Sequence, residues 1–135
     1  MSTTWFLAKE YLKRLEVEFE EKEKKTFSLF PHGPTKTEEI EVFPEASWIT
    51  LTTRLHDLSK TPLKSRRTIY ETLLKTNASL VGVSFGVDKK SYIVLTNAIP
   101  ITGISYDAFS AIYEAHMTGI KFFHNKLFPL ISPKE

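Results

Sequence analysis

Apolar and polar positions along this chain change period at a few clear points, and each change marks an element. Trp5, Ala8, Leu12 and Leu15 fall on one side of a first helix that Thr3 or Thr4 can cap and that runs to about Arg14. From Leu15 the period becomes two. Val17 and Phe19 alternate with Glu16, Glu18 and Glu20, as in a strand with one buried and one solvated face. A polar turn over residues 20–25 follows, and Phe27 and Leu29 then resume the alternation. Pro31-His32-Gly33-Pro34 ends it, because two prolines and a glycine cannot lie in a central strand. Residues 38–43 make a third strand and Pro44-Glu45-Ala46 a turn. In a fourth strand Ile49, Leu51, Thr53 and Leu55 oppose Trp48, Thr50, Thr52 and Arg54.

Thr61-Pro62 then places a cap residue before a proline at the first helical position. Leu63, Tyr70, Leu73 and Leu74 mark the apolar side of this second helix, and Asn77 suits a left-handed end. Residues 80–99 read as a hairpin around Asp88-Lys89-Lys90-Ser91. One face of its first strand is bulky, with Val81, Val83, Phe85 and Val87, and the other small, with Leu80, Gly82, Ser84 and Gly86. Glycines inside a strand suggest a close approach by a helix or a partner's backbone. The return strand, residues 92–99, is apolar on both faces, which marks it as central or covered twice.

The strongest periodic signal is a last helix over residues 105–128. Tyr106, Phe109, Tyr113, His116, Ile120, Phe123 and Leu127 are spaced three and four apart, and Ala108, Ala111, Ala115 and Phe122 form a second stripe beside them. Asp107, Ser110, Glu114, Thr118, Lys121 and Asn125 leave only a narrow polar ribbon, so the pattern predicts a second cover on this helix. The expectation that follows is a homodimer whose interface includes this helix or the edge of the sheet it packs on, with Phe109, Ile112, Tyr113, His116, Phe122 and Phe123 as the partner-binding or dimer surface.

Composition narrows the classes of function. The 135 residues fit a single domain spanning 1–135, and 41% hydrophobic with 25% charged residues is the balance of a globular protein with a phenylalanine-rich core. A net charge of +2 does not make a stripe for a polyanion. Without cysteine there is neither a disulfide nor a thiolate zinc site. Together with an N-terminus that lacks a secretory leader and the absence of any ~20-residue apolar run, this predicts a cytoplasmic protein. Lys and Glu supply most of the charge and glutamine is absent, a bias that favours a thermophilic source.

Candidate chemistry is sparse, and the expectation is no enzyme, no cofactor and no metal. His116 and His124 lie eight apart with Ile120 between them, off the spacing of a helical metal pair. His56-Asp57 are adjacent and lack a placed nucleophile. Gly82-Val83-Ser84-Phe85-Gly86 leads into a strand, where a phosphate loop needs a helix N-terminus. Asn77-Ala78-Ser79 has the pattern of a glycosylation acceptor but reads as a helix end. Lys60, Lys64, Arg66, Arg67 and Lys75 form a basic cluster. It carries the alternative reading of a nucleic-acid-associated accessory protein that uses residues 60–75.

The element order, together with Asn77-Ala78-Ser79-Leu80-Val81-Gly82-Val83-Ser84-Phe85, Ala98-Ile99-Pro100-Ile101 and Gly103-Ile104-Ser105-Tyr106, resembles the YbjN-like proteins and the wider type III secretion chaperone-like fold. The likeness spans nearly the whole chain. It implies an α+β domain in the order α-β-β-β-β-α-β-β-α, an antiparallel sheet with helices packed on it. It also implies a homodimer that binds a protein or peptide partner, acting as a chaperone or regulator and not as a catalyst. Secretion chaperones are typically acidic, whereas this chain is slightly basic.

Overall fold

A computed structural model describes residues 3–31 and 38–131. The chain is α+β: α1 (Thr3–Leu15), β1 (Phe19–Glu21), β2 (Phe27–Leu29), β3 (Ile40–Pro44), β4 (Trp48–Asp57), α2 (Leu63–Asn77), β5 (Ser84–Val87), β6 (Tyr92–Pro100) and α3 (Tyr106–Phe122). The helical rod then widens to a π-helical turn over Phe123–Leu127 and ends as a short α4, Phe128–Ile131. The six strands form one antiparallel sheet in the order β1-β2-β3-β4-β6-β5.

The period-two readings account for this sheet. Ile49, Leu51 and Thr53 of β4 align with Ile99, Asn97 and Leu95 of β6, and all six side chains are buried beneath α1 and α3. Phe27, Leu29, Ile40 and Val42 continue the same face. The other face carries Trp48, Thr50, Thr52, Thr96 and Ala98, partly or fully exposed. β6, expected to be central or covered twice, is an interior strand between β4 and β5 and is covered on one face. Phe27, Phe85, Phe109 and Phe123 give the core its aromatic content.

Other boundaries move. α1 runs to Leu15, and a positive φ at Glu16 turns the chain, so β1 starts at Phe19 and not at Leu15. Thr4 donates its hydroxyl to the Ala46 carbonyl at 3.1 Å and so ties α1 to the β3–β4 turn. β5 begins at Ser84 and not at residue 80. The left-handed residue is Gly82, and Asn77 keeps helical geometry with a right-handed Ala78 after it. Ser105 caps α3 by accepting from the Ala108 amide at 3.1 Å. His32, Gly33 and Pro34 of the proline-rich turn lie outside the described residues.

Candidate interaction surface

The six α3 residues expected at a dimer interface lie mostly inside the protomer. Phe109, Tyr113, His116 and Phe123 are buried in its own core, with Ile112 and Phe122 packed half-buried against it. The expectation rested on a second stripe without cover, and the protomer covers it in part, leaving Ala111 exposed and Ala108, Ala115 and Phe122 half-buried. A Cβ on Gly82 would come within 3.4 Å of Ala115 Cβ, so residues 78–83 press on the stripe. From α1, Tyr11 packs its ring on Phe109 and Tyr106, and Arg14 lies over Tyr106 at 4.1 Å. The four buried side chains are thus corrected from surface to core.

Apolar surface appears instead on α2 and β5. α2 turns Ile69 and Leu73 inward and leaves Leu63 78% exposed, Leu74 70% and Tyr70 37%. Leu63, Arg67, Tyr70 and Leu74 are spaced four, three and four apart, a seam on the outer side of a helix whose inner side is already packed. Beside it a groove of about 390 Å³ is lined by Tyr70, Leu73, Leu74, Phe85, Gly86 and Val87. A second hollow of about 490 Å³ continues it past Leu63, Arg66, Arg67 and Glu71. Grouped exposed apolar side chains of this kind mark contact surfaces in soluble proteins.

Two devices hold this surface in shape. The Asn77 carboxamide receives the Phe85 N–H on Oδ1 at 2.8 Å and returns Nδ2 to the Phe85 carbonyl at 2.9 Å. A side chain thereby pairs with the sheet edge as a strand would. At the other end α2 starts after Pro62 with no side-chain cap, where Thr61 was expected to serve. Arg66 instead ties down the turn before the helix, donating Nε to the Thr61 carbonyl at 2.8 Å and Nη2 to that of Ser59 at 3.0 Å.

The basic cluster loses coherence as a result. Arg66 is committed to backbone carbonyls, and Lys75 pairs with Glu71 at 3.4 Å one turn back. Lys60, Lys64 and Arg67 are exposed. Three exposed cations, Lys60 before the helix and Lys64 and Arg67 on it, make few phosphate contacts.

The other titratable groups have structural partners. His56 meets the Phe128 ring edge-on, and Asp57 accepts from the Ser59 amide, which holds its carboxyl below the usual range. His116 is fully buried between Thr53 and Asn97, and burial pushes its ring down to about 4. His124, on the π-helical turn, pairs with Glu38 beside a shallow cavity of about 500 Å³ that also presents Glu114 and Lys121. Burial, then Glu114, raises Tyr113 at its wall. Among the described residues no three of His, Cys, Asp and Glu gather as a metal shell, and no helix is long and apolar enough to cross a membrane.

No protein-family model matches this sequence, and no curated protein matches it. Solved structures do match in shape. YbjN from E. coli superposes with a TM-score of 0.67 at 14% identity, over 90% of this chain and 92% of that one. A chain of the complex between the Yersinia pestis type III secretion chaperone SycH and a stable fragment of YscM2 gives 0.59 at 17%, over 88% and 98%. A chain of the ExsC–ExsE complex gives 0.57 at 12%, over 94% and 97%. The chain has the YbjN-like, type III secretion chaperone-like fold, and identities this low establish a fold without an activity.

Proposed function

We propose that this protein is a single-domain, non-enzymatic protein-interaction module of the cytoplasm, chaperone-like or regulatory, which acts as a homodimer joined through α2 and β5. The observation that carries the reading is the outer seam of α2, Leu63, Tyr70 and Leu74, exposed beside an apolar groove. Its fold is shared with chaperones solved in complex with other proteins, among them SycH with YscM2. That likeness supports a binding role and leaves its partner open.

Magnitudes allow a second copy. Fully burying a Leu or aromatic side chain contributes about 1.5 to 3 kcal/mol. With Leu63 78%, Leu74 70% and Tyr70 37% exposed at the start, the three side chains on each of two copies contribute roughly 6 to 11 kcal/mol, the same order as association costs of about 4 to 15 kcal/mol. A two-fold axis near Tyr70 lets one seam serve both chains. The Asn77 clamp on Phe85 obstructs strand addition at the β5 edge, so the contact is made by side chains.

The sequence has no cysteine, so a single introduced one reports on this interface. Tyr70→Cys should cross-link to its own copy on mild oxidation at micromolar concentration. Phe6→Cys, exposed on α1, should not. Equal cross-linking of both, or of neither, would contradict the proposed interface.

A further inference from the structure

A polar chain crosses the apolar layer between the sheet and α3. Asn97 gives both hydrogens of its Nδ2 to backbone carbonyls, of Gly82 and of Ile112, each at 2.9 Å. Its oxygen is what remains to face His116 Nδ1 at 3.0 Å, so that nitrogen carries the hydrogen. Nε2 is then the acceptor, and Thr53 Oγ1 donates to it at 2.7 Å. The neutral ring is satisfied at both nitrogens. A second proton would sit on Nε2, where the Thr53 hydroxyl would have to reverse and accept it, and the added charge would lie in a fully buried site.

This chain ends at a joint. Gly82 belongs to residues 78–83, which connect α2 to β5, and at their start Asn77 clamps Phe85. α2 packs chiefly on β5, and β5 is fixed to the body by its ladder with β6 and by the Gly82 carbonyl on Asn97. We propose that His116 is a proton-operated latch: a second proton on its ring, with no ionised group to receive it, favours the state in which residues 78–83 leave Asn97 and water reaches the ring, and so loosens α2 with β5 while β1 to β4, α1 and α3 stay folded. The consequence for assembly, loss of the α2–β5 surface in acid, rests on the proposed interface. The opening itself does not.

No ionised group stands ready to receive an imidazolium here. β4 meets α3 with Ile49, Leu51 and Thr53, and β6 with Ile93, Leu95, Asn97 and Ile99, while Arg54 and Tyr92 belong to the opposite face. β5 and residues 78–83 contain no ionisable side chain. α1 turns Tyr11 inward against Phe109 and Tyr106, and Lys9 pairs outward with Glu21. On α3 itself Tyr113 is kept neutral by burial, whereas Glu114 and Lys121 are exposed. His124 of the π-helical turn is exposed and paired with Glu38.

Amide hydrogen exchange, normalised to intrinsic rates, tests the latch at pH 7 and pH 5. With the ring at its ordinary 6.5 when open and about 4 when closed, opening is favoured about twentyfold more at pH 5. Protection at Phe85 and Leu73 should fall by that factor, and at Val42 and Leu51 by less than about threefold. In His116→Gln the difference between the two pH values should vanish. Should that variant not fold, the wild-type profile decides. Loss confined to α2 and β5 supports the latch, and a uniform loss or none overturns it.

Discussion

Asn77 and Phe85, eight residues apart, are joined by two hydrogen bonds of 2.8 and 2.9 Å, so that a helix-terminal side chain closes the edge of the sheet. Each such bond contributes about 1 kcal/mol net, and the buried backbone groups left behind cost more than an exposed pair would. Asn77→Ala should therefore lower unfolding free energy by about 2 to 3 kcal/mol in urea titration. Asn77→Asp should recover little, since a carboxylate can accept from the Phe85 amide but repels its carbonyl. An Asn77→Ala loss under about 0.5 kcal/mol would contradict the clamp.

Gly119 sits mid-helix, where alanine would ordinarily stabilise by about 1 kcal/mol. Here an added Cβ would come within 2.7 Å of Leu95 Cδ2 and 3.3 Å of Val83 Cγ1. Leu95 is fully buried and has little room to yield, and overpacking costs about 1 to 3 kcal/mol. Gly119→Ala should be net destabilising by about 1 kcal/mol, read as a lower Tm in calorimetry. A higher Tm would show that α3 does not press on β6 at this point.

Arg66 separates a structural role from a polyanion-binding one. Losing its bonds to the Ser59 and Thr61 carbonyls should cost Arg66→Ala about 1 to 2 kcal/mol in chemical unfolding, although the residue is only half-buried. Lys64→Ala and Arg67→Ala, on the exposed side, should stay within about 0.5 kcal/mol. Equal effects for all three would contradict this tie to the turn before α2.

Stability should also fall in acid through His116. Its folded-state value, about 4, lies below the 6.5 of the unfolded chain, so between these values the unfolded chain binds the proton more readily. Stability is fully present above about pH 6.5 and is lost as pH falls toward 4, by about 3 kcal/mol in total. Urea titrations at pH 7 and pH 5 measure this, with His116→Gln as the reference that should lack the slope. A wild-type slope no steeper than that of the variant would contradict the burial of a neutral ring.

How far the sequence could be read varies with how local each interaction is. The α3 seam was legible because a three-four spacing sustained over six turns fits a helix and neither a strand nor a loop, and the alternation in β4 fixed which of its faces is buried. The partners of that seam were not legible. Gly82, which meets Ala115 of the second stripe, and Tyr11, which packs on Phe109 and Tyr106 of the first, come from elements about 30 to 100 residues away, so the helix looked less covered than it is. In α2 the opposite error arose. Leu63, Tyr70 and Leu74 read as one apolar side with Leu73, yet Ile69 and Leu73 form a separate line about 100° round the helix, and only that line is buried. Two stripes on a short helix at a sheet edge were the available signal. Asn77 shows the same limit, since a helix-ending asparagine gives no sign that its amide will meet a backbone eight residues on.

Light scattering on the wild type and on Leu74→Glu tests the proposed interface most directly, because a side chain 70% exposed in the protomer can accept a charge without unfolding it. The wild type should show twice the 15.5 kDa chain mass at high micromolar concentration. The variant should show a single chain mass, with unchanged circular dichroism. A wild type that stays monomeric, or a Leu74→Glu variant that remains dimeric, would contradict a dimer joined through α2 and β5.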